Sequence, residues 1–272
     1  MTAPGTVEVA AWWSANAEGY QRWGDIAHGQ EAYRQAWIDA LVRLVGHPLR
    51  DGSPVLRIAD IGTGTAEIAL LLGGMGHDVT GYDIAPGMLT VARRKAKAEG
   101  VAVRFVPGNA YELPLGEGSV DITISRWMLW TLHDPALALR EWRRVLAPGG
   151  KIVVIDTLHG IAPTTVLERA NRARERAFWA LYGWLKRAWY RIRHGRNAQI
   201  AASPTGPTET SSKHWQSLAD VQAHFTEAGM SNVAQGWLDA VFEAHRRAAP
   251  LRWRIACCAP RFFTLTWRKP VP

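Results

Sequence analysis

The stretch Leu56-Arg-Ile-Ala-Asp60-Ile-Gly62-Thr-Gly64-Thr, followed by Val79-Thr-Gly-Tyr-Asp83, decides how this chain folds. An apolar run ends at an acid, meets a glycine turn, and reaches a second acid 23 residues after the first. That is the layout of a site for a ribose-bearing ligand at the carboxyl edge of a parallel sheet. The fine spacing separates the candidate ligands. In a dinucleotide site, G-x-G-x-x-G sets a third glycine beneath a pyrophosphate so that helix and strand pack closely. Here that position is Glu67. A carboxylate in the first helical turn suits the helix dipole, yet it repels a pyrophosphate unless it points away.

An adenosine ligand without phosphate fits the turn better. S-adenosyl-L-methionine (SAM) is such a molecule, and its ammonium and sulfonium groups tolerate nearby acids. Further motifs follow in order: Asp83 with Pro86-Gly-Met88-Leu89, Pro107-Gly-Asn109-Ala110 before Leu113-Pro114, Ser125-Arg126 through His133-Asp134-Pro135, and Val145-Leu146-Ala-Pro148-Gly149-Gly150. This succession resembles the class I SAM-dependent methyltransferases, nearest to the ubiquinone-methylase-like small-molecule branch. The resemblance covers residues 12–156 well and 214–268 more loosely.

What the resemblance implies can be stated residue by residue. Gly62 and Gly64 would let the backbone approach the methionyl part of SAM, where a side chain would block the approach or strain the turn. Asp83 would accept hydrogen bonds from both ribose hydroxyls, with Ile84 beside it among the cofactor contacts. Met88 would pack on the adenine. Asn109 and Ala110 stand where the family usually has Asp-Ala, and an amide oxygen can accept the same bond without the charge. Ala66 replaces a frequent third glycine. Asp60 either serves the cofactor site or caps the following helix. Trp12-Trp13-Ser-Ala-Asn-Ala-Glu-Gly-Tyr20-Gln-Arg-Trp23 resembles the family's opening helix. Tyr20 would then reach the methionyl end, or else staple that helix to the core.

Alternating apolar runs and helical patterns predict strands near 56–61, 78–83, 103–107, 120–125 and 151–156, with helices at about 66–75, 86–99 and 135–147. Pro148-Gly149-Gly150 is the expected stop of the third helix. A helix over 217–228 and strands over 232–238 and 261–267 complete the expectation. The fold class is α/β: a Rossmann-like, doubly wound, seven-stranded sheet whose last strand is antiparallel, carrying an inserted helical cap. The expected divisions are an N-terminal helical cover (1–50), a SAM-binding core (51–156), the cap (157–213) and the C-terminal part of the sheet (214–272).

Composition narrows the setting. With 272 residues the chain can bury a substantial core as one domain with an elaboration. Cys257 and Cys258 are adjacent, which makes neither a metal spacing nor a disulfide framework; they fit opposite faces of a strand. No secretory pattern opens the chain, and runs such as Ile68 to Leu72 fall far short of a bilayer span. The expected location is the cytoplasm. The formal charge is +8, and the segment from Pro163 to Asn197 holds nine Lys/Arg against two Glu, so +7 of it is local.

In that segment Val166, Ala170, Ala173, Ala177, Leu181, Trp184, Ala188 and Ile192 keep helical spacing, with arginines largely on another face. Three readings compete: a cap or homodimer helix over 163–196, a membrane-surface face rich in Trp/Tyr and Lys/Arg, and an RNA-binding arm. No recognised nucleic-acid module accompanies the third.

SAM is already activated, so an enzyme must chiefly align a nucleophile and exclude water. His133 and His159 follow the fourth and fifth strands and are candidate bases. Arg126 could pair the SAM carboxylate or form a surface salt bridge. Trp127 and Trp130, spaced to share a helical face, are candidate pocket walls along with Trp179 and Tyr182. The function implied is methyl transfer to N, O, S or C of a small molecule in specialised metabolism. The alternatives are a lipid or quinone methyltransferase at a membrane surface and a SAM-binding scaffold without catalysis.

Overall fold

A computed structural model of the chain describes residues 6–24, 31–157, 177, 181, 184, 217–248 and 262–271. Three helices lead, α1 (Thr6–Gly24), α2 (Glu31–Val45) and the short α3 (Pro48–Asp51). Then β1 (Arg57–Ile61), α4 (Glu67–Gly74), β2 (Asp78–Asp83), α5 (Pro86–Glu99) and β3 (Arg104–Pro107) alternate. β4 (Val120–Arg126), a 3-10 turn (Leu129–Thr131), α6 (Pro135–Val145) and β5 (Leu146–Thr157) follow. The described chain closes with α7 (Leu218–Glu227), β6 (Ala234–Trp237), α8 (Asp239–Ala248) and β7 (Phe262–Arg268).

The seven strands form one sheet in the order β3-β2-β1-β4-β5-β7-β6. The first five are parallel, and β7 runs antiparallel between β5 and β6. Side chains alternate across a strand, so the sheet splits the core into two layers. Ile58, Ile122, Ile124, Val153, Ile155 and Phe262 face α2, α4 and the start of α8. Ala59, Ile61, Ile152, Val154, Phe263 and Leu265 face α6 and α7. Strand order reverses beside β1, whose neighbours are β2 and β4. Ligands of such sheets bind at that switch, outside the strands' carboxyl ends.

Helix α1 docks on α5 through a contact that only glycine allows: a Cβ on Gly87 would lie 2.4 Å from the Ser14 carbonyl oxygen. The Gly87 N–H donates to Ser14 Oγ at 3.2 Å, and Arg94 pairs with Glu18 at 2.7 Å. Helix α2 is tied at its far end by Lys151 Nζ, which donates to the Leu44 carbonyl at 2.7 Å.

Expected elements and observed ones agree in kind and order, with three differences. The helix expected to run to 147 ends at Val145, because Leu146 already pairs with Val120. Pro148-Gly149-Gly150 therefore stops no helix; it lies inside β5, bracketed by Gly149 and Gly150 bonds to Lys269. Trp127 and Trp130 do not share a helical face. Trp127 has φ +57° just past β4 and packs in the α2 layer, whereas Trp130 packs in the α6 layer. Helix α8 had no expectation at all. Cys257 and Cys258, and most of the 157–213 insertion, lie outside the described residues. Within it Leu181 and Trp184 are helical, and the spacing puts them on the packed face, but they are 57% and 60% exposed.

Candidate functional site

The glycine turn between β1 and α4 is held by the neighbouring strand. The N–H groups of Gly62 and Thr63 both donate to the Tyr82 carbonyl, at 2.8 and 3.0 Å. Gly62 has φ +69°, and a Cβ there would fall 2.3 Å from Met128 Cγ. Gly64, at φ +55°, faces α1, with Tyr20 Cε1 3.7 Å from where its Cβ would stand. Asp83 joins turn and strand. Its two carboxylate oxygens accept from the N–H groups of Gly64 (2.8 Å) and Ala85 (2.9 Å). A carboxylate offers about four lone-pair sites, so these two bonds orient Asp83 and leave acceptor capacity for a diol. Burial raises its pKa, and the backbone donors oppose that rise.

Asp60 is not a helix cap. The N-cap of α4 is Ala66, at φ +72°, while Asp60 is buried and accepts from Thr63 Oγ1 at 2.6 Å. Burial pushes its carboxyl up to about 7, against the opposing effects of Thr63 and Arg126. Glu67 points inward, away from any ligand on the turn. It is 5% exposed, accepts from Thr65 Oγ1, and faces Lys95 Nζ at 3.4 Å and Arg126 Nη2 at 3.6 Å.

Arg126 is the hub of the site, and it makes no surface salt bridge. Its side chain is buried at the end of β4, with its guanidinium 5.4 Å from the Trp37 ring centre and 4.8 Å from that of Trp127. It hydrogen-bonds the Tyr20 hydroxyl, which burial raises to about 12 while the guanidinium opposes the rise. The cation thus links α1, the glycine turn and α2. Tyr20 also meets Trp13 edge-on at 5.6 Å, in a cluster with Ala17, Ala85, Met88 and Val91. Met88 is buried there, under α1.

Along the β3 side, Asn109 Oδ1 accepts from the Tyr111 N–H at 3.1 Å, and the Ala110 carbonyl accepts from Trp142 Nε1 at 3.0 Å. Ile84 is half-buried beside Asp83. His133 is exposed, and its backbone N–H and that of Asp134 donate to the Tyr111 hydroxyl. The structure therefore brings Tyr20, Asp60, Gly62, Gly64, Asp83 and Arg126 together, with Trp127 beside them and Trp130 on the other layer. His159, Trp179 and Tyr182 lie outside the described residues.

Sequence reading missed Tyr33, Trp37, Lys95, His245 and Phe262. Tyr33 and Trp37, an i,i+4 aromatic pair, carried a faint signal; the others are scattered along the chain. Among the described residues, no group of His, Cys, Asp and Glu could hold a metal ion.

Residues 59–154 match the family described as "Methyltransferase domain". A demethylmenaquinone methyltransferase from Thermus thermophilus is 44% identical over 102 residues, covering 37% of this chain and 46% of that protein. A ubiquinone biosynthesis O-methyltransferase from Azorhizobium caulinodans is 34% identical over 167 residues, covering 58% of this chain and 66% of that protein. The chain thus spans less than two thirds of these curated relatives. A phosphoethanolamine N-methyltransferase from Haemonchus contortus, solved with S-adenosylhomocysteine, superposes with a TM-score of 0.60 at 14% identity, over 97% of this chain and 59% of that one. The [4+2]-cyclase SpnF does so at 0.59 and 18% identity, over 100% and 98%. At such identities the two structures share the fold alone. Residues 59–154 thus carry a methyltransferase domain, whose cofactor is SAM, and beyond that domain the chain is similar to the quinone methylases over part of their length.

Proposed function

We propose that this chain transfers the methyl group of SAM to a small-molecule acceptor. The observation that carries the reading is the joint between Asp83 and the glycine turn. One carboxylate is aimed by the Gly64 N–H, two glycines take positive φ where side chains would collide or strain, and Tyr20 with Arg126 roofs the turn. A ribose diol suits the remaining acceptor sites of Asp83. The methionyl carboxylate suits the Arg126 guanidinium, which keeps a net share of positive charge because Glu67 faces both Lys95 and Arg126. Ile84, Met88, Asn109 and Ala110 would border the adenosine, with Asn109 already committed to its own turn.

When bound, SAM supplies an electrophilic methyl group on a good leaving group. The chain's part is to bind, orient and dry the site. Helix α1 covers the turn, Trp127 walls one side, and Arg126 fixes the polar end. His133, being exposed, fits a base poorly; His159, Trp179 and Tyr182 remain proposals on the undescribed insertion. Calorimetry with SAM tests the reading: micromolar binding that Asp83→Ala abolishes supports it, and unchanged affinity in that variant would refute the ribose contact. Release of S-adenosylhomocysteine on an acceptor panel separates an enzyme from a scaffold.

A second reading, a lipid or quinone acceptor met at a membrane surface, is favoured by Leu181 and Trp184. They are exposed within the basic stretch 163–197, as an interfacial helix requires. No helix among the described residues is long and apolar enough to cross a membrane, so contact would be peripheral. Flotation with anionic vesicles decides it: protein left at the bottom of the gradient rules the surface out. Homodimerisation through 163–196 is the competing use of that face, read by sedimentation.

A further inference from the structure

Lys95 lies on the buried face of α5 and is 5% exposed, a rare place for a lysine. Its Nζ stands 3.4 Å from Glu67 Oε1. The other carboxylate oxygen, Oε2, stands 3.6 Å from Arg126 Nη2. One buried carboxylate is therefore divided between two buried cations, one oxygen to each. Thr65 Oγ1 also donates to Oε1, on the lysine side. Two donors hold Glu67 away from Arg126, and one looser contact draws it toward Arg126.

Arg126 rests on rings. Its guanidinium lies 5.4 Å from the Trp37 ring centre and 4.8 Å from that of Trp127, and both indoles pack on Phe262, at 5.0 and 5.1 Å. This aromatic floor attracts a cation without neutralising it. Tyr33 and His245, 5.1 Å apart, are within electrostatic reach of the guanidinium. Burial keeps the Tyr33 hydroxyl protonated, and burial with the Arg126 charge keeps His245 neutral near pH 7. Tyr20 gives Arg126 a hydroxyl raised to about 12, again uncharged. Among the described residues, the carboxylate within ion-pair distance of Arg126 is Glu67. Asp60 also feels the guanidinium, but burial pushes its carboxyl up to about 7, so at pH 6 it is mostly protonated. At that pH, the charge Arg126 presents to a ligand depends on how much of Glu67 it holds. Lys95 holds the other share.

We propose that Lys95 is a positioning residue for the cofactor's carboxylate: by holding Glu67 from the α5 side, it keeps Arg126 available to the ligand. This rests on the reading above in which Arg126 meets the methionyl carboxylate of SAM. Lys95 acts through Glu67 and touches no ligand itself. Without its ammonium, Glu67 turns its charge toward Arg126, and the ligand's carboxylate meets a cation already neutralised. Without the Glu67 charge, the guanidinium attracts that carboxylate more strongly. The two substitutions act on one group of the ligand in opposite directions, which a loss of packing does not do.

Two probes differ in that group alone: SAM, and decarboxylated SAM, which keeps the adenosine, the sulfonium and the ammonium. Calorimetry at pH 6 on the full chain gives the ratio of their affinities. The unaltered protein is expected to prefer SAM. Lys95→Met should shrink that preference by about tenfold, the lower end of what a charge-assisted hydrogen bond contributes, and leave decarboxylated SAM bound as before. Lys95→Gln takes its place if the apolar variant does not fold. Glu67→Gln should widen the preference, and adding Lys95→Met to it should change the ratio no further, because the route through Glu67 is gone. Lys95→Arg, which keeps the charge, should preserve the ratio. An unchanged ratio in Lys95→Met, including an equal fall on both probes, overturns the role of Lys95 and leaves the carboxylate reading standing. Equal binding of the two probes by the unaltered protein overturns that reading, and this proposal with it.

Discussion

The two halves of the carboxyl edge solve different problems with different materials. Around β1 and β2 the site is made of backbone: glycines at positive φ, N–H groups on Tyr82 and Asp83, and short-range bonds between residues close in sequence. Around β4, α2, α8 and β7 it is made of side chains, with an arginine between two indoles and rings contributed from positions 33, 37, 127, 245 and 262. A cofactor common to a family can be met by a fixed turn. Arg126 stands at the seam and belongs to both.

That division can be broken first at the seam. Arg126→Met would leave Glu67 buried with Lys95 alone, and breaking such a group costs about 3–5 kcal/mol, measured by denaturant unfolding. Adding Glu67→Gln should return part of the loss; no return would mean that the two residues are not coupled. On the cofactor side, Asp83→Ala removes charge-assisted bonds of about 1.5–3 kcal/mol each, so SAM affinity should fall at least about 10²-fold, read by calorimetry. A rigid backbone half also predicts that Gly64→Ala costs about 1–2 kcal/mol from its left-handed φ alone, read by thermal unfolding. The smallest effect is the control. Ser217→Ala deletes the α7 capping box, costing about 1 kcal/mol without touching SAM affinity.

A pH series sharpens the same contrast. The Asp60 carboxyl is raised from 3.8 to about 7 in the folded chain, so between those values the folded state holds a proton that the unfolded state releases. Stability from this group is therefore complete below about pH 4 and declines as pH rises toward 7. Asp60→Asn should flatten that decline, and an unchanged slope would mean that Asp60 ionises freely.

Legibility in the sequence follows the same seam. Strands β1 to β5 and the turn residues could be read because alternation, glycines and acids act over a few residues. Asp60, Gly62, Gly64 and Asp83 are neighbours in the fold largely because they are near one another in sequence. Nothing local in His245 or Phe262 says that either meets Tyr33 or Trp37; only the β7 register and the α2–α8 packing do. Trp127 and Trp130 show how spacing misleads, since one positive φ sends them to opposite layers. Helix α8 was legible in principle, since Asp239–Ala248 is strongly amphipathic and opens on an acid.

The position of β7 also bears on the order in which the halves come into being. It is the last described strand in the chain, yet it lies inside the sheet, between β5 and β6. A chain emerging residue by residue can pair β1 to β5 and close the glycine turn while residue 262 is still unmade. Strand β6, which ends at Trp237, must wait beside an open edge until Phe262 is made. The aromatic floor, which needs Phe262, is thus the last part to assemble. During synthesis the vulnerable surface is the exposed edge of β5, and chaperones or premature pairing would act there.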